Sequence, residues 1–398
     1  MRKIKIIEAT LELGLGGTEY VIQLYSKYLD KDRFEVLVVG LNAGGERARL
    51  IEEMGIEVQI LDGNLEKLTQ LIKETDVFHW HGNGTMSKEL AAVLRANKPK
   101  LVIQTNVFGL YNASLYDIID YDLYVSKMIL IRRMMQDQYL NNNFFIKRKV
   151  LPNPVDTDQI IKLLPSYNEI QQFKKEQRLE DYFIVGRIGR ADGAKFDLIT
   201  LDGFARFAGR VSHARFLLVG ATLPILEYAE KLGITNKLIV FENTPDLKQL
   251  LIYYKTIDIF LAASNLGESF GLVIAEAMTA GVPVVTINTP DRDNAQVELV
   301  DNGITGLVVK RDLEKIAAAL FYLYQNKDVR DKLSAAAKLK VIKEYRANYV
   351  VNILENLIYK HFKIQVPHAE EFVLTDLSAI IIDDYYNRCY DLWESEAS

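Results

Sequence analysis

Two carboxylates, Glu268 and Glu276, stand with seven residues between them in Asn265-Leu-Gly-Glu-Ser-Phe-Gly-Leu-Val-Ile-Ala-Glu-Ala-Met-Thr-Ala-Gly-Val-Pro-Val-Val285. Gly267 and Gly271 make this a flexible loop that opens a helix near Leu272. Backbone N–H groups at a helix start lack partners within the helix and sit at its positive end, so such a loop takes an anion. Glu276 lies about one turn into the helix and faces back toward the same mouth. A carboxylate accepts two hydrogen bonds from neighbouring hydroxyls. A phosphate cradle beside a sugar-binding carboxylate suits a nucleotide-sugar. The plainer reading is a loop–helix–strand unit with solvated glutamates: Gly281-Val-Pro283 stops the helix, and Val284–Ile287 reads as a buried strand.

Three further stretches hold residue types that do chemistry. Leu13-Gly-Leu-Gly-Gly-Thr-Glu19 follows the first strand and opens the first helix. Its glycines permit close backbone approach to a ligand, but Gly14, Gly16 and Gly17 lack the Gly-x-Gly-x-x-Gly spacing of a dinucleotide site. Gly186-Arg-Ile-Gly-Arg-Ala-Asp-Gly-Ala-Lys195 sets cations in a loop after the strand Phe183–Val185. Phe78-His-Trp-His-Gly-Asn83 puts His79 and His81 on one face of a strand end. No third ligand for a metal is evident beside those histidines. Asp291-Arg-Asp293, the one Asp-x-Asp after a core strand, lies in a Pro-containing loop. No metal is expected, and no other cofactor.

Positioning these groups falls to parallel sheets wrapped by helices. Short apolar runs alternate with helical stretches from end to end. The strand candidates are Ile4–Ile7, Phe34–Val39, Val58–Leu61, Val77–Trp80, Leu101–Thr105, Leu123–Val125 and Lys149–Leu151, then Phe183–Gly186, Phe216–Val219, Leu238–Phe241, Ile257–Leu261, Val284–Ile287 and Leu307–Val309. Most are Val/Ile/Leu-rich without alternation, as strands buried on both faces are. At 398 residues the chain divides naturally into two domains. The boundary falls at Pro152-Asn-Pro-Val-Asp156, giving domains 1–155 and 156–365.

A net charge of −5 argues against bulk nucleic-acid binding, and the single cysteine, Cys389, rules out an internal disulfide. Glu8 and Glu12 interrupt the N-terminal apolar run, which reads as a strand rather than a leader. No apolar run approaches a membrane span, so a cytoplasmic protein is expected. From Lys127 to Lys149 there are six basic residues and one acidic, and Lys127–Met135 reads as an apolar, basic helix. It is either a packed helix with solvated arginines or a peripheral contact with the inner face of a membrane. Residues 365–398 carry eight acidic residues against one arginine, with aromatics at Phe372, Tyr385, Tyr386, Tyr390 and Trp393. They either pack or bind a partner.

The Glu268–Glu276 stretch resembles the donor-site signature of retaining GT-B glycosyltransferases of family 4 (glycosyl transferases group 1). Gly16-Gly-Thr-Glu19 resembles the family's Gly-Gly-x-Glu element, and Pro152-Asn-Pro-Val-Asp156 its entry to the second domain, with Pro154 where glycine is usual. The resemblance spans about residues 1–360. It implies an α/β GT-B fold: two facing Rossmann-like domains with parallel sheets and an interdomain cleft, the N-terminal one for acceptor and the C-terminal one for donor. It also implies that the C-terminal segment 370–398 packs back on the N-terminal domain.

The family spacing of Gly-Arg, four residues and Lys is met by Gly189-Arg190 with Lys195, while Arg187 does not meet it. The resemblance thus assigns Arg190 and Lys195 to the diphosphate, where fixed cations stabilise a departing nucleoside diphosphate most, with Arg187 as a stand-in. Such cations replace a metal. Glu276 then holds ribose hydroxyls and Glu268 meets the transferred sugar. Ser269 belongs to the same loop, and N–H groups of Phe270, Gly271 and Leu272 meet phosphate and sugar. Gly16 and Gly17 approach the diphosphate or the sugar, and Phe241 either walls the base or belongs to the core. His81 either lines the sugar side or is structural. Asn106 stands where many relatives have a sugar-contacting histidine.

The function implied is transfer of a sugar from a UDP- or GDP-sugar to a hydroxyl acceptor on a glycan or lipid-linked sugar, with retention and without metal. A GT-B nucleotide-sugar epimerase and a non-catalytic donor-binding subunit are the alternatives.

Overall fold

The computed structural model describes residues 2–136, 144–189, 193, 195–365 and 379–394. It divides into two compact units. The first is Met1–Pro154 with Tyr345–Ile382, and the second Val155–Glu344 with Asp383–Ser398.

The first unit holds seven parallel strands: β1 (Ile4–Glu12), β2 (Phe34–Ala43), β3 (Glu57–Ile60), β4 (Val77–Gly82), β5 (Leu101–Asn106), β6 (Tyr121–Tyr124) and β7 (Arg148–Val150). Their order is β3-β2-β1-β4-β5-β6-β7. Strand direction is fixed by register pairs such as Ile6↔Val36, Ile6↔Val77 and Val77↔Leu101. Ile7, Val39, Phe78 and Val102 bury one face beneath helix residues Leu68, Ile72, Leu90 and Leu94. These are the β-branched and aromatic runs that suit a sheet covered on both sides.

The second unit adds β8 (Phe183–Arg187), β9 (Ala214–Val219), β10 (Leu238–Phe241), β11 (Ile259–Ala262), β12 (Gly267–Glu268), β13 (Val284–Asn288), β14 (Asp293–Asn294) and β15 (Leu307–Lys310). The sheet order is β10-β9-β8-β11-β13-β15, and β12 pairs with β14 separately. Phe204, Phe207, Phe216, Ile259, Val285 and Leu320 centre its core. Counting its six sheet strands in chain order gives 3-2-1-4-5-6, the doubly wound order, and the first unit shares it through its sixth strand. In such sheets ligands bind beyond the carboxyl ends of the strands where the order reverses. That point lies between β1 and β4 in one unit and between β8 and β11 in the other.

Two expectations about the C-terminal part are corrected. Helix Ala347–His361 clusters with the first unit, although the sequence placed everything to 365 in the second. It is held there by the Tyr359 ring, 5.6 Å from Phe34, and by the Asp30 N–H donated to Glu355 Oε1 at 2.7 Å. Residues 383–394 sit with the second unit rather than the first. The Trp393 N–H donates to the Val308 carbonyl at 2.7 Å, and Arg388 Nη1 donates to Asp301 Oδ1 at 2.7 Å. Residues 366–378 and 395–398 of the acidic tail fall outside the described residues. Among the described residues no helix is long and apolar enough to cross a membrane. Helix Lys127–Gln136 buries Met128, Ile129, Leu130, Ile131 and Met134. Arg132 turns back to donate to the Phe108 carbonyl at 2.7 Å.

Candidate functional site

The loops that leave β8 and β11 meet at the second unit's switch point. The first carries Lys195 and the second Glu268, and their charged ends stand 3.4 Å apart, with side chains 30% and 15% exposed. Residues 73 apart in sequence share one mouth because the sheet order brings β8 beside β11. Arg187 is not at the mouth. It is buried, its guanidinium lies 5.3 Å from the Phe196 ring, and it donates to the carbonyls of Lys195 and Ala263. The assignment of Arg187 as a stand-in on the diphosphate is thereby corrected: it straps the Lys195 loop to the end of β11. Arg311 adds a bidentate bond to Asp197, at 2.5 and 2.7 Å, just past Lys195. Arg190 lies outside the described residues.

Glu268 is held by its backbone. Its N–H donates to Gln296 Oε1 at 3.2 Å, and its carbonyl accepts from the Ala295 N–H at 2.8 Å. Gln296 is buried and donates in turn to the Ile287 carbonyl and Thr289 Oγ1. Gly267 has φ +74°, and a Cβ there would overlap the Asp293 carbonyl oxygen. Glycine is required by conformation and by space.

Ser269 and Phe270 are buried at the base of the loop. Gly271, at φ +98°, turns the chain into helix Leu272–Thr279, whose start has no side-chain cap. The first N–H groups of that helix are therefore available to an anion. Glu276 sits on its second turn and accepts from Tyr254 Oη at 2.9 Å. Phe241 is half-buried in a ring cluster, stacked on Tyr253 at 4.6 Å and 5.8 Å from Phe173.

In the first unit Gly16 caps helix Gly17–Tyr28 in an extended conformation without a side-chain cap bond, and Gly17 is exposed. His81 and Asn106 are instead sealed inside. His81 Nε2 donates to Glu8 Oε2 at 2.5 Å, the same oxygen lies 2.9 Å from His79 Nδ1, and all three side chains are buried. Pairing of Glu8 with His79 in the β1–β4 register creates this cluster. His79 Nε2 bonds Thr105 Oγ1 at 2.8 Å.

Burial pushes the Glu8 carboxyl up, but the charge and hydrogen bonds of the two histidines outweigh it and bring it down to about 2. Burial, with His79 beside it, brings His81 down to about 4 against the pull of Glu8. Two ligands of a tetrahedral zinc, each about 2.1 Å from it, stand about 3.4 Å apart. The 2.5 Å separation of His81 and Glu8 is that of a hydrogen-bonded pair, and His79 Nδ1 makes a charge contact with the same oxygen. Glu8 is the third ligand that the sequence did not reveal, and the three buried side chains are grouped closely enough to hold a metal ion.

Asn106 Nδ2 donates to the Leu110 carbonyl at 3.1 Å, and its Oδ1 accepts from the Gly109 N–H at 2.8 Å. It staples its own loop. Elsewhere in this unit, a pocket of about 230 Å³ lies beyond the ends of β1, β2 and β3, lined by leucines such as Leu11, Leu41 and Leu61 with Asn42, Ser87 and Glu89.

Sequence reasoning missed Glu8, Gln296 and Tyr254. Glu8 left one signal, a charge inside an apolar strand facing a sheet with two histidines. Gln296 and Tyr254 left none.

Residues 168–340 match the family described as Glycosyl transferases group 1. The chain is 32% identical over 116 residues to the phosphatidyl-myo-inositol mannosyltransferase of Mycobacterium leprae (strain TN), covering 28% of this chain and 30% of that protein. It is 26% identical over 196 residues to the N-acetyl-alpha-D-glucosaminyl L-malate synthase of Bacillus anthracis, covering 48% and 49%. The chain thus spans half or less of the length of the curated relatives it matches. Anabaena Alr3699/HepE, solved in complex with UDP and glucose, superposes with a TM-score of 0.74 at 18% identity, over 90% of this chain and 99% of that one. At that identity the likeness is one of fold. The fold is GT-B, as the sequence led us to expect.

Proposed function

We propose that this chain, whose residues 168–340 match the glycosyl transferases group 1, is an enzyme moving a sugar from a UDP- or GDP-sugar to a hydroxyl acceptor. The observation that carries this reading is the Lys195–Glu268 pair, 3.4 Å apart at the switch point beside the uncapped start of helix Leu272–Thr279. A donor's pyrophosphate meets the helix-start N–H groups and takes Lys195 as its counter-ion, with Arg190 as the second cation. Glu268, released from Lys195, turns to the hydroxyls of the transferred sugar. Glu276 takes the ribose diol.

Charge gathers on the nucleoside diphosphate as the glycosidic bond breaks. A fixed ammonium and helix N–H groups oppose that charge most strongly in the transition state, without the reorganisation that water would need. The leaving phosphate is then the base that takes the acceptor proton on the same face, which retains the anomeric configuration. The transfer is metal-independent in this reading, because cations of the chain do the work of a metal. The acceptor belongs to the first unit's pocket beyond β1–β3 rather than to His81 or Asn106, whose burial leaves them no access to a ligand. Its leucine lining suits an acceptor with an apolar part, such as a lipid-linked glycan met in the cytoplasm.

Thermal-shift titration with UDP-, GDP- and ADP-sugars tests the donor site. One of the three is expected to stabilise the chain, and Lys195→Ala and Glu276→Ala are each expected to abolish that shift while the unliganded protein melts as before. In transfer, Lys195→Ala should cost about 10²–10³-fold. Unchanged shifts in both variants would refute the assignment.

A further inference from the structure

We propose that Tyr254 is a positioning residue for the donor's ribose, acting through Glu276. The inference rests on the reading of Glu276 as the ribose carboxylate and deepens it. Tyr254 is fully buried on helix Leu247–Thr256, with its ring 5.7 Å from that of Phe260 on β11. Its hydroxyl lies 2.9 Å from Glu276 Oε2 and 3.2 Å from the Val273 carbonyl oxygen. Both acceptors belong to the helix that opens at Gly271. A hydroxyl has one proton to give, and the charged acceptor at the shorter distance takes it. The next residue, Lys255, donates from Nζ to the Ala280 carbonyl at 3.1 Å, at the other end of that helix. Tyr254 and Lys255 therefore bind the two ends of helix Leu272–Thr279 and fix its place along its own axis.

The consequence is specific to a diol. A carboxylate that accepts from two neighbouring hydroxyls must present its plane at a set rotation, whereas a single contact tolerates a range of rotations. The last bond of a glutamate side chain is a soft, broad rotation, and each hydrogen bond its carboxylate accepts narrows that range. A buried phenol held by β11 and its own helix narrows it before ligand arrives, so part of the cost of ordering the carboxylate is already met. Phenylalanine would fill the same space and keep the packing, and the hydroxyl is all that would be lost.

The test is calorimetric titration of the full chain with UDP, GDP and ADP. The tightest of these is then compared with its 2′,3′-dideoxy counterpart. Tyr254→Phe is expected to weaken the natural nucleotide about tenfold and to leave the dideoxy compound unchanged. In a Glu276→Gln background, which itself lowers the preference for the diol, adding Tyr254→Phe should change nothing further. A Tyr254→Phe variant that binds both nucleotides like the parent overturns the proposal. So does one that weakens both equally, or one whose effect adds in full to that of Glu276→Gln. A parent chain that binds none of the three nucleotides overturns the donor-site reading itself, and this assignment with it. Binding to the parent with no diol preference overturns the ribose role alone.

Discussion

Glu8 is a carboxylate with no place in a sheet interior unless something answers its charge, and His79 and His81 are what answer it. Its carboxyl titrates in the fold at about 2, below its ordinary 4.5. A depressed carboxylate contributes stability that is complete above the unfolded value and lost as pH falls through the folded one. Comparing the chain with Glu8→Gln reads this contribution together with that of His81, which shares the charge pair, while remote groups such as Asp122, raised by burial to about 6, are common to both. The stability difference should be on the order of 3 kcal/mol at neutral pH and shrink between about pH 4.5 and 2. Urea melts across that range measure it, and a difference flat with pH would mean that Glu8 is not ionised in the fold. Asn106 makes a second case. Bound to Leu110 and Gly109, it belongs to the architecture of its loop. Asn106→Ala should cost about 2 kcal/mol of stability through the groups left unpaired, with donor affinity unchanged. Loss of donor affinity without loss of stability would restore it as a ligand contact.

At the scale of elements, the thirteen strand candidates all appear; most are apolar runs long enough to cross a sheet, and β7, Arg148–Val150, is a three-residue edge strand with two basic residues. The two strands not foreseen, Gly267–Glu268 and Asp293–Asn294, are two residues each and polar, so neither periodicity nor composition marks them. Yet this pair fixes the backbone of Glu268. The loop, the helix and both carboxylates of the candidate site were legible as a local pattern. What held them was not, since Gln296, Tyr254 and Arg187 act through contacts 22 to 76 residues away in sequence. The same limit hid the burial of His81. Alternation told which face it shares with His79, but the β1–β4 register that delivers Glu8 is a property of two strands together. Gly267 tests the importance of the short pair. Gly267→Ala places a Cβ on the Asp293 carbonyl at a backbone angle that suits only glycine. It should cost at least about 2 kcal/mol and abolish the donor-induced thermal shift. A variant that melts normally and still binds donor would show that the β12–β14 pairing is dispensable.

For the whole molecule, the chain order and the spatial order part company after Glu344. Residues 345–365 return to the first unit, and residues 383–394 belong to the second. Each unit is thus completed by a piece of chain remote from its own sheet. Tyr359 packs on Phe34 in the first unit. In the second, Arg388 and Lys340 share Asp301, and the Trp393 ring stands 5.1 Å from that of Tyr322. Two cores of this size predict two unfolding transitions in calorimetry. Tyr359→Ala should lower the first unit's transition by about 3–5 kcal/mol through the cavity it leaves and spare the second. Removal of residues 383–398 should do the reverse. Donor binding raises the transition of whichever unit holds the nucleotide. The transition raised by donor should therefore be the one lowered by the C-terminal deletion. If donor instead raises the transition that Tyr359→Ala lowers, the nucleotide sits in the first unit and the Lys195–Glu268 mouth is not its site.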